Sequence, residues 1–273
     1  MCPLLQICPV AALIAPMRAD GEPGSDQRPR PYVTRPPAGG CYADGAALSF
    51  GLALFGVTAP LFPYVVLATQ ELEHSGIGRP LATNSGRRGR LQVTTITSVH
   101  PLTGARQPLY ARGTAQVQAP ELAVTAADVA IFAARLPADA LTLQLHTPMR
   151  LIDGDRLVKQ LTLRPLVQRL MRRLDDLAIA YGAGPLAIDF RALLDVAERV
   201  TVVEDRTRWV DVVSYSARQR SRTPIGGLVG AITFAGDLAP LRELLVWGSL
   251  IHVGKNAVKG DGCYTIEAGS SLA

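Results

Sequence analysis

The order of strand and helix patterns in the second half of the sequence restricts the possible folds more than any other feature. ALTLQLHTPMRL (140–151) has the composition of a strand, and 164–182 carries apolar residues at helical spacing. Strand patterns at 208–221 and 226–236, a helix pattern at 237–249 and the short strand CYTIEA follow, with RALLDVAERV as an additional short helix. Strand, helix, strand, strand, helix, strand is the order of the ferredoxin-like split βαβ arrangement. We therefore expect a four-stranded antiparallel sheet with helices on one face.

The first half gives a shorter series of elements. AALSFGLALFG (46–56) predicts a strand, 60–79 predicts a helix, and 91–100 predicts a strand that pairs with 106–113. No convincing strand and helix precede them, because 18–46 is rich in proline, glycine, arginine and aspartate and indicates loop or extended chain. A polar, alanine-rich link joins the two halves.

The composition is that of a folded protein with a hydrophobic core. Hydrophobic residues make up 48% and charged residues 19% of the 273 residues, which is not the balance of a disordered chain. This length suits one large domain or two small ones. We place the domains at 1–130 and 137–273, on either side of the alanine-rich link.

Positive charge is clustered along the chain. The net charge is +5, and arginine supplies 25 of the 28 basic residues. No acidic residue occurs from Ser75 to Pro120 or from Val212 to Gly236, although both segments contain several arginines. Such acid-free basic segments favour a polyanionic partner such as nucleic acid. Solvated loops are the alternative interpretation.

Cysteine spacing and hydropathy argue against other classes of protein. The four cysteines form no CxxC pair, and a disulfide framework is unusual in a chain of this length; they are Cys2, Cys8, Cys41 and Cys263. The apolar start MCPLLQICPVAALIAPM lacks the basic n-region of a signal peptide, and two prolines interrupt it. No apolar run approaches the ~20 residues that span a bilayer. We expect a cytoplasmic protein without membrane contact, metal or cofactor.

Near the C-terminus, GGLVGAITFAGDLAPLRELLVWGSLIHVGKNAVKGDGCYTI combines four motifs. They are a Gly-Gly-hydrophobic-Gly strand, an Asp-Leu-x-Pro helix start, a His-Val-Gly-Lys turn and a Gly-x-Gly-x-Tyr ending, formed by Gly226, Gly227, Gly230, Asp237, Leu238, Pro240, His252, Gly254, Lys255, Gly260, Gly262 and Tyr264. This ordered set resembles the C-terminal signature of the CRISPR precursor-RNA-processing endoribonucleases of the RAMP superfamily. RPYVTRPP, LSFGLALFG and LFPYVVLATQELEHSGIGR resemble the first half of the same family.

The resemblance implies an α+β fold with tandem ferredoxin-like (RRM-like) domains and antiparallel sheets. Members of the family bind CRISPR repeat RNA and cut it without metal, leaving a cyclic phosphate and producing guide RNAs. They usually begin with a strand and a helix that lie upstream of the start of this chain, so the resemblance implies an incomplete first domain. In many relatives the catalytic histidine lies on that helix, which leaves the identity of a catalytic histidine here open.

The loop LIHVGKNAVKGDGCY (250–264) contains one of the four histidines and two of the three lysines. Attack by the 2′-hydroxyl of the RNA requires a base, an acid and a cation beside the phosphorane. Histidine can serve as base or acid near neutral pH, lysine supplies a mobile charge, and glycine lets backbone N–H groups approach phosphate. We therefore predict His252 and Lys255 as catalytic residues. Lys259, Gly254, Gly260 and Gly262 are the predicted RNA-binding residues of the loop.

Each of these residues has a structural alternative. His252 could pack against the sheet while the two lysines are merely solvated. His74, the second catalytic candidate, could instead stabilise the C-terminus of its helix. His100 and His146 fall in strand patterns, where we expect structural roles. Outside the loop, the predicted RNA-binding residues are Arg79, Arg87, Arg88, Arg90, Arg218, Arg220 and Arg222, with Tyr215 in the same turn as the last three.

Two other functions compete with repeat-RNA cleavage. A non-catalytic RNA-binding subunit of a CRISPR effector complex would keep the basic clusters and the glycines but would not cut repeat RNA. Association with other effector subunits is compatible with either role. A metal-dependent nuclease is disfavoured by the absence of a clustered Asp/Glu pair with histidine in the sequence.

Overall fold

The computed structural model describes residues 8–16, 28–114, 116–216 and 221–268. Its first half contains short elements that pair two by two. The antiparallel pairs are β1 with β2, β3 with β4 and β5 with β6. The elements are α1 (Pro9–Ile14), β1 (Tyr32–Arg35), β2 (Gly51–Leu54), α2 (Phe62–Ser75), β3 (Ile77–Leu81), β4 (Arg87–Gly89), β5 (Thr95–Val99) and β6 (Arg106–Ala111).

The second half contains one four-stranded antiparallel sheet, in the order β10-β13-β7-β14. Its elements are α3 (Ala126–Ala134), β7 (Ala140–Met149), β8 (Ile152–Asp153), β9 (Arg156–Leu157), α4 (Leu163–Tyr181), α5 (Phe190–Arg199), β10 (Thr201–Val210), β11 (Val213–Ser216), β12 (Ser221–Pro224), β13 (Gly227–Ala235), α6 (Arg242–Ile251) and β14 (Tyr264–Ala268). This is the ferredoxin-like topology expected from the element order. The predicted α+β class with antiparallel sheets is confirmed.

The main core lies between the sheet and the helices of the second half. Alternate residues of β7, namely Leu141, Leu143 and Leu145, are almost fully buried, as the period of two in a strand requires. They belong to one cluster with Leu166 and Leu170 of α4. The opposite face of β7 carries the polar residues Thr142, Gln144 and His146, of which only His146 is exposed.

Three predicted boundaries were wrong. The segment 18–46 was expected to be loop or extended chain, but residues 32–35 form β1, which pairs with β2. The alanine-rich link contains α3, whose N-terminus is closed by a capping box of Thr125 and Asp128. The strand expected at 208–221 is instead the end of β10 followed by the separate hairpin strand β11.

The helix predicted within 60–79 is confirmed as α2, which ends at Ser75. Gly76 follows with a φ of 69°, a left-handed conformation that an L-residue disfavours, and its N–H closes the helix on the carbonyl of Leu72. The chain then enters β3.

The division of the chain into domains 1–130 and 137–273 stays a prediction. Val129 and Ala133 of α3, which spans the proposed boundary, pack into the core of the second half. Contacts also link the two halves, because Tyr181 at the end of α4 donates a hydrogen bond to the carbonyl of Pro29. No helix in the described part of the chain is both long and apolar enough to cross a membrane.

Candidate functional site

The glycine-rich loop, residues 252–263, connects α6 to β14 and is held by the end of β7. The N–H of Lys255 donates to the carbonyl of Arg150 at 2.9 Å, and the N–H of Gly262 donates to the carbonyl of Pro148 at 3.0 Å. The hydroxyl of Thr147 donates to the carbonyl of Gly260 at 2.7 Å. Three residues of the loop, Lys255, Gly260 and Gly262, are therefore anchored on the end of β7 and the residue that follows it.

The loop also contacts the first half of the chain. The hydroxyl of Thr34 on β1 donates to the carbonyl of Val258 at 3.1 Å. A Cβ on Gly260 would lie 2.6 Å from Cδ of Pro36. The loop thus fills the space between β1 and β7, and its glycines permit that close packing.

Gly260 and Gly262 use their N–H groups within the protein. Gly260 donates to the carbonyl of Ala257 at 3.1 Å, while Gly262 bonds to Pro148. Both residues are buried, and both have positive φ, 100° and 69°. Gly254 is half-buried, with a φ of 93°. Close packing accounts for these glycines. The N–H groups of Gly260 and Gly262 donate to protein carbonyls, so they do not point at a phosphate as the sequence analysis expected.

The two lysines of the loop face solvent. Lys255 and Lys259 are exposed, and neither side chain makes a hydrogen bond or ion pair with another described residue. The charge of Lys259 acts to lower the pKa of Asp261, but burial dominates and raises that pKa to about 6. The loop therefore presents two available cations on a backbone that is firmly anchored.

His252 lies beneath this surface. Its side chain is 0% exposed, and neither ring nitrogen has a hydrogen-bond partner among the described residues. Burial lowers its pKa to about 4, and the charges of Arg35 and Arg173 act in the same direction. The imidazole is therefore neutral at pH 7, and no RNA atom can reach it in this structure. This burial matches the structural alternative more closely than the predicted catalytic role.

The backbone at His252 adopts a conformation that suits glycine. Its φ is 57° and its ψ is 163°, a region that L-residues rarely occupy. Arg173 of α4 donates through Nε to the carbonyl of Ile251 at 2.9 Å, directly before this position. Burial lowers the pKa of Arg173 to about 10, which leaves it charged. Burial is the main reason that the pKa of His252 is low, and the charges of Arg35 and Arg173 act in the same direction.

Arg35 is a candidate residue that the sequence interpretation missed. It is exposed at the end of β1, and no carboxylate of the described chain pairs with it. Its neighbours Thr34 and Pro36 contact the loop, and its charge acts to lower the pKa of both His252 and Cys263. The signal was present in RPYVTRPP, the segment that resembles the family, but nothing in the sequence showed that β1 packs against the loop.

The remaining histidines occupy different environments. His74 is exposed in the last turn of α2, as predicted. His100 is buried, its Nδ1 accepts the N–H of Thr103 at 3.3 Å, and its Nε2 lies 3.6 Å from a carboxylate oxygen of Asp128, which fits the structural role. His146 lies on β7 as predicted, but its ring is exposed, with Nε2 2.8 Å from the hydroxyl of Thr265.

The predicted basic residues of the first half form a separate patch. Arg79, Arg87, Arg88 and Arg90 are exposed on and after the β3–β4 pair. The side chain of Arg88 donates to the carbonyl of Gly78 within that pair. No hydrogen bond or ion pair in the described ranges connects these arginines, or His74, to the glycine-rich loop. The structure therefore does not join them to the loop in one site.

The β11–β12 hairpin, in contrast, lies at the same end of the four-stranded sheet as the glycine-rich loop. The hairpin β11–β12 leaves the sheet between the end of β10 and the start of β13, where Val210 pairs with Gly227 and Met149 pairs with Leu228. Arg222 is exposed on β12 and lies opposite the exposed Tyr215 in register. Arg218 and Arg220 lie outside the described residues.

In the part of the chain that the structure covers, no group of three or more His, Cys, Asp or Glu side chains is arranged to hold a metal ion. The reactive groups near the loop are the exposed cations Lys255, Lys259 and Arg35 and the exposed imidazole of His146. Such groups can neutralise phosphate charge and transfer protons.

Solved structures share the fold of this chain. A Cas6 product complex is 17% identical, with a TM-score of 0.52 over 96% of this chain and 91% of that chain. A second Cas6 product complex is also 17% identical, with a TM-score of 0.51 over 89% and 84% of the two chains. Thermus thermophilus Cas6 is 17% identical, with a TM-score of 0.50 over 87% and 79%. At this level of identity these likenesses establish the fold alone.

Family models match both halves of the sequence. Residues 1–122 match a family described as an N-terminal domain, and residues 143–264 match the family CRISPR-associated endoribonuclease Cas6. No curated protein sequence matches the chain significantly. The second match contains the whole glycine-rich loop and confirms the resemblance drawn from its motifs. Over residues 143–264, which are 122 of the 273 residues, the chain is thus similar to the CRISPR-associated endoribonuclease Cas6 family.

Proposed function

We propose that the protein binds CRISPR repeat RNA and cuts it by attack of an RNA 2′-hydroxyl, generating guide RNAs and leaving a cyclic phosphate. The observation that carries this proposal is the anchored glycine-rich loop with exposed Lys255 and Lys259 and with Arg35 beside it. Three cations without carboxylate partners on a fixed backbone provide a favourable site for a phosphodiester. Two of the solved Cas6 structures with this fold are product complexes, which supports an RNA ligand.

The cations would act on the scissile phosphate. In the attack, the 2′-oxygen forms a bond to phosphorus, a base removes its proton, and the bond from phosphorus to the leaving 5′-oxygen breaks as that oxygen receives a proton. Lys255, Lys259 or Arg35 would stabilise the extra negative charge of the phosphorane. No metal takes part in this sequence of steps.

The proton transfers need a side chain that RNA can reach. His252 is buried, so we assign the acid–base role to an exposed histidine. His146 fits best, because its ring is exposed, it lies on the strand that anchors the loop, and its backbone N–H donates to the carbonyl of Cys263 at 2.9 Å. His74, on α2, remains the second candidate.

Cleavage in EDTA tests the proposal. The protein should cut the repeat RNA of its host under metal-free conditions and leave a cyclic phosphate upstream of a 5′-hydroxyl. A 2′-deoxy nucleotide immediately before the cut should abolish cleavage without affecting binding. Cleavage of the deoxy substrate at the normal rate would show that the 2′-hydroxyl is not the nucleophile.

The burial of His252 favours a second candidate function, an RNA-binding subunit of a CRISPR complex that does not cut. In that case the protein would bind repeat RNA tightly and leave it intact under all conditions. Both candidate functions place the protein in the cytoplasm with repeat RNA, and other CRISPR proteins are compatible partners.

A further inference from the structure

Lys159, the third lysine of the chain, lies beside the half-buried Trp209. Nζ of Lys159 is 5.8 Å from the ring centroid of Trp209, and Cζ of Arg150 is also 5.8 Å from that centroid. Both distances are within the ≈ 6 Å over which a cation is attracted to an indole ring. The indole N–H donates to a carboxylate oxygen of Asp211 at 2.8 Å, which fixes the orientation of the ring.

Arg150 connects this group to the glycine-rich loop. Its carbonyl accepts the N–H of Lys255 at 2.9 Å, and a Cβ on Gly254 would lie 2.6 Å from that same oxygen. Its guanidinium extends towards the start of β13, where Nη1 donates to the carbonyl of Gly226 at 3.0 Å. One residue therefore contacts both the loop and the start of β13.

Trp209 connects the same group to the arginine-rich hairpin. It is the second-last residue of β10 and pairs with Leu228, and β11 begins four residues later, at Val213. Arg150, Trp209 and Lys159 thus lie between the two segments that the sequence predicted to bind RNA. Lys159 is exposed, and among the described residues its side chain interacts with Trp209 alone.

We propose that Arg150, Trp209 and Lys159 form an RNA subsite, the Trp209 subsite, that continues the phosphate-binding surface from Lys255 to the β11–β12 hairpin. The proposal rests on the proposed function, since it needs an RNA already held by the loop. The ligand is the sugar–phosphate backbone beside the nucleotides at the cut. Two cations held on one indole bind successive phosphates with less loss of side-chain freedom than free lysines.

Binding of an uncleavable RNA tests this subsite. The probe is the host repeat RNA with a 2′-deoxy nucleotide before the cut, and its affinity is measured across a range of salt concentrations. Lys159→Gln should lower affinity by ~3- to 10-fold and reduce the salt slope by about one, as loss of one phosphate contact does. Arg191→Gln, an equal charge change at an exposed position of α5, should alter neither quantity.

A second pair of variants separates the effect of losing the aromatic ring on RNA affinity from the effect of a general loss of stability. Trp209→Leu removes the π-face without changing charge, and it should weaken binding of the same RNA, whereas Trp209→Phe should retain most of the affinity. Melting temperature is measured for both, and the comparison uses only temperatures at which both are folded.

The outcomes distinguish this proposal from the proposed function. If Lys159→Gln and Trp209→Leu bind like the wild type while Lys255→Gln binds weakly, the loop holds RNA and the Trp209 subsite does not exist. If the wild-type protein does not bind repeat RNA at all, the proposed function fails, and the subsite fails with it.

Discussion

Thr147 donates its hydroxyl hydrogen bond to the carbonyl of Gly260 at 2.7 Å and accepts the N–H of Cys263 at 2.9 Å. A single side chain at the end of β7 therefore satisfies two polar groups of the glycine-rich loop. Thr147→Val keeps the shape and removes both bonds, so we expect a loss of ~1–3 kcal/mol in the free energy of unfolding. Denaturant unfolding measures this loss. The control Thr223→Val, at an exposed strand position, should change stability by less than about 0.5 kcal/mol.

Close packing between the loop and β1 makes Gly260 sensitive to substitution. In Gly260→Ala the new Cβ would meet Pro36 at 2.6 Å and the carbonyl of Thr34 at 3.0 Å, at a φ of 100°. We expect destabilisation of more than ~2 kcal/mol together with weaker RNA binding. Gly113→Ala provides the matched control, because its φ is 89° but no atom lies within 4 Å of the new Cβ. If both variants lose the same stability, backbone strain alone is responsible and the contact with Pro36 has no role.

The buried His252 and the half-buried Asp261 of the loop give opposite pH dependence. His252, with a pKa lowered to about 4, is neutral in the folded protein while the unfolded chain binds a proton up to its ordinary value of 6.5. Its contribution to stability is therefore present above pH 6.5 and is lost as the pH falls through about 4. Asp261, with a pKa raised to about 6, holds its proton in the folded protein, so its contribution is present below 3.8 and is lost as the pH rises through about 6.

Between about pH 4 and 6 these two effects oppose each other in the wild type. His252→Asn should leave a protein whose unfolding free energy falls as the pH rises through this window, because Asp261 then titrates without compensation. Asp261→Asn should show a rise over the same window. Urea unfolding at a series of pH values measures both slopes. Equal slopes in the two variants would contradict the assignment.

Single-turnover cleavage identifies the acid–base residue. His146→Ala should lower the cleavage rate by ~10²–10⁴-fold at saturating RNA, the usual worth of general acid–base catalysis, with little change in affinity. His252→Ala should lower melting temperature more than it lowers the rate of the folded enzyme, because the native ring is buried. If His74→Ala alone abolishes cleavage, the catalytic histidine lies on α2 and His146 is structural.

The arginines of the β3–β4 segment can be tested for RNA contact independently of the loop. Replacing Arg87, Arg88 and Arg90 with glutamine should weaken RNA binding and lower the salt slope, since each lost phosphate contact removes counterion release. An unchanged slope would show that this patch does not contact RNA. Arg79→Gln, on the neighbouring strand, shows whether the contact extends to β3.

The sequence by itself determined the local elements and the topology of the second half. Apolar residues at a period of two in β7 and at helical spacing in α4 specify which faces are buried, and the order of the elements leaves few arrangements of the sheet. The ordered motifs from Gly226 to Tyr264 were also sufficient to indicate the family. These properties depend on residues that are close in the sequence.

Only the tertiary structure decided the roles of individual residues at the candidate site. His252 stands beside two lysines in the sequence, yet it is buried, because the chain passes through a positive φ there and packs under Arg35 and Arg173. Arg35 comes to the loop from a strand more than 200 residues away in the sequence. Trp209 brings Arg150 and Lys159 together from two further segments. Burial and long-range contacts depend on how distant segments pack. That packing cannot be predicted from local composition and spacing.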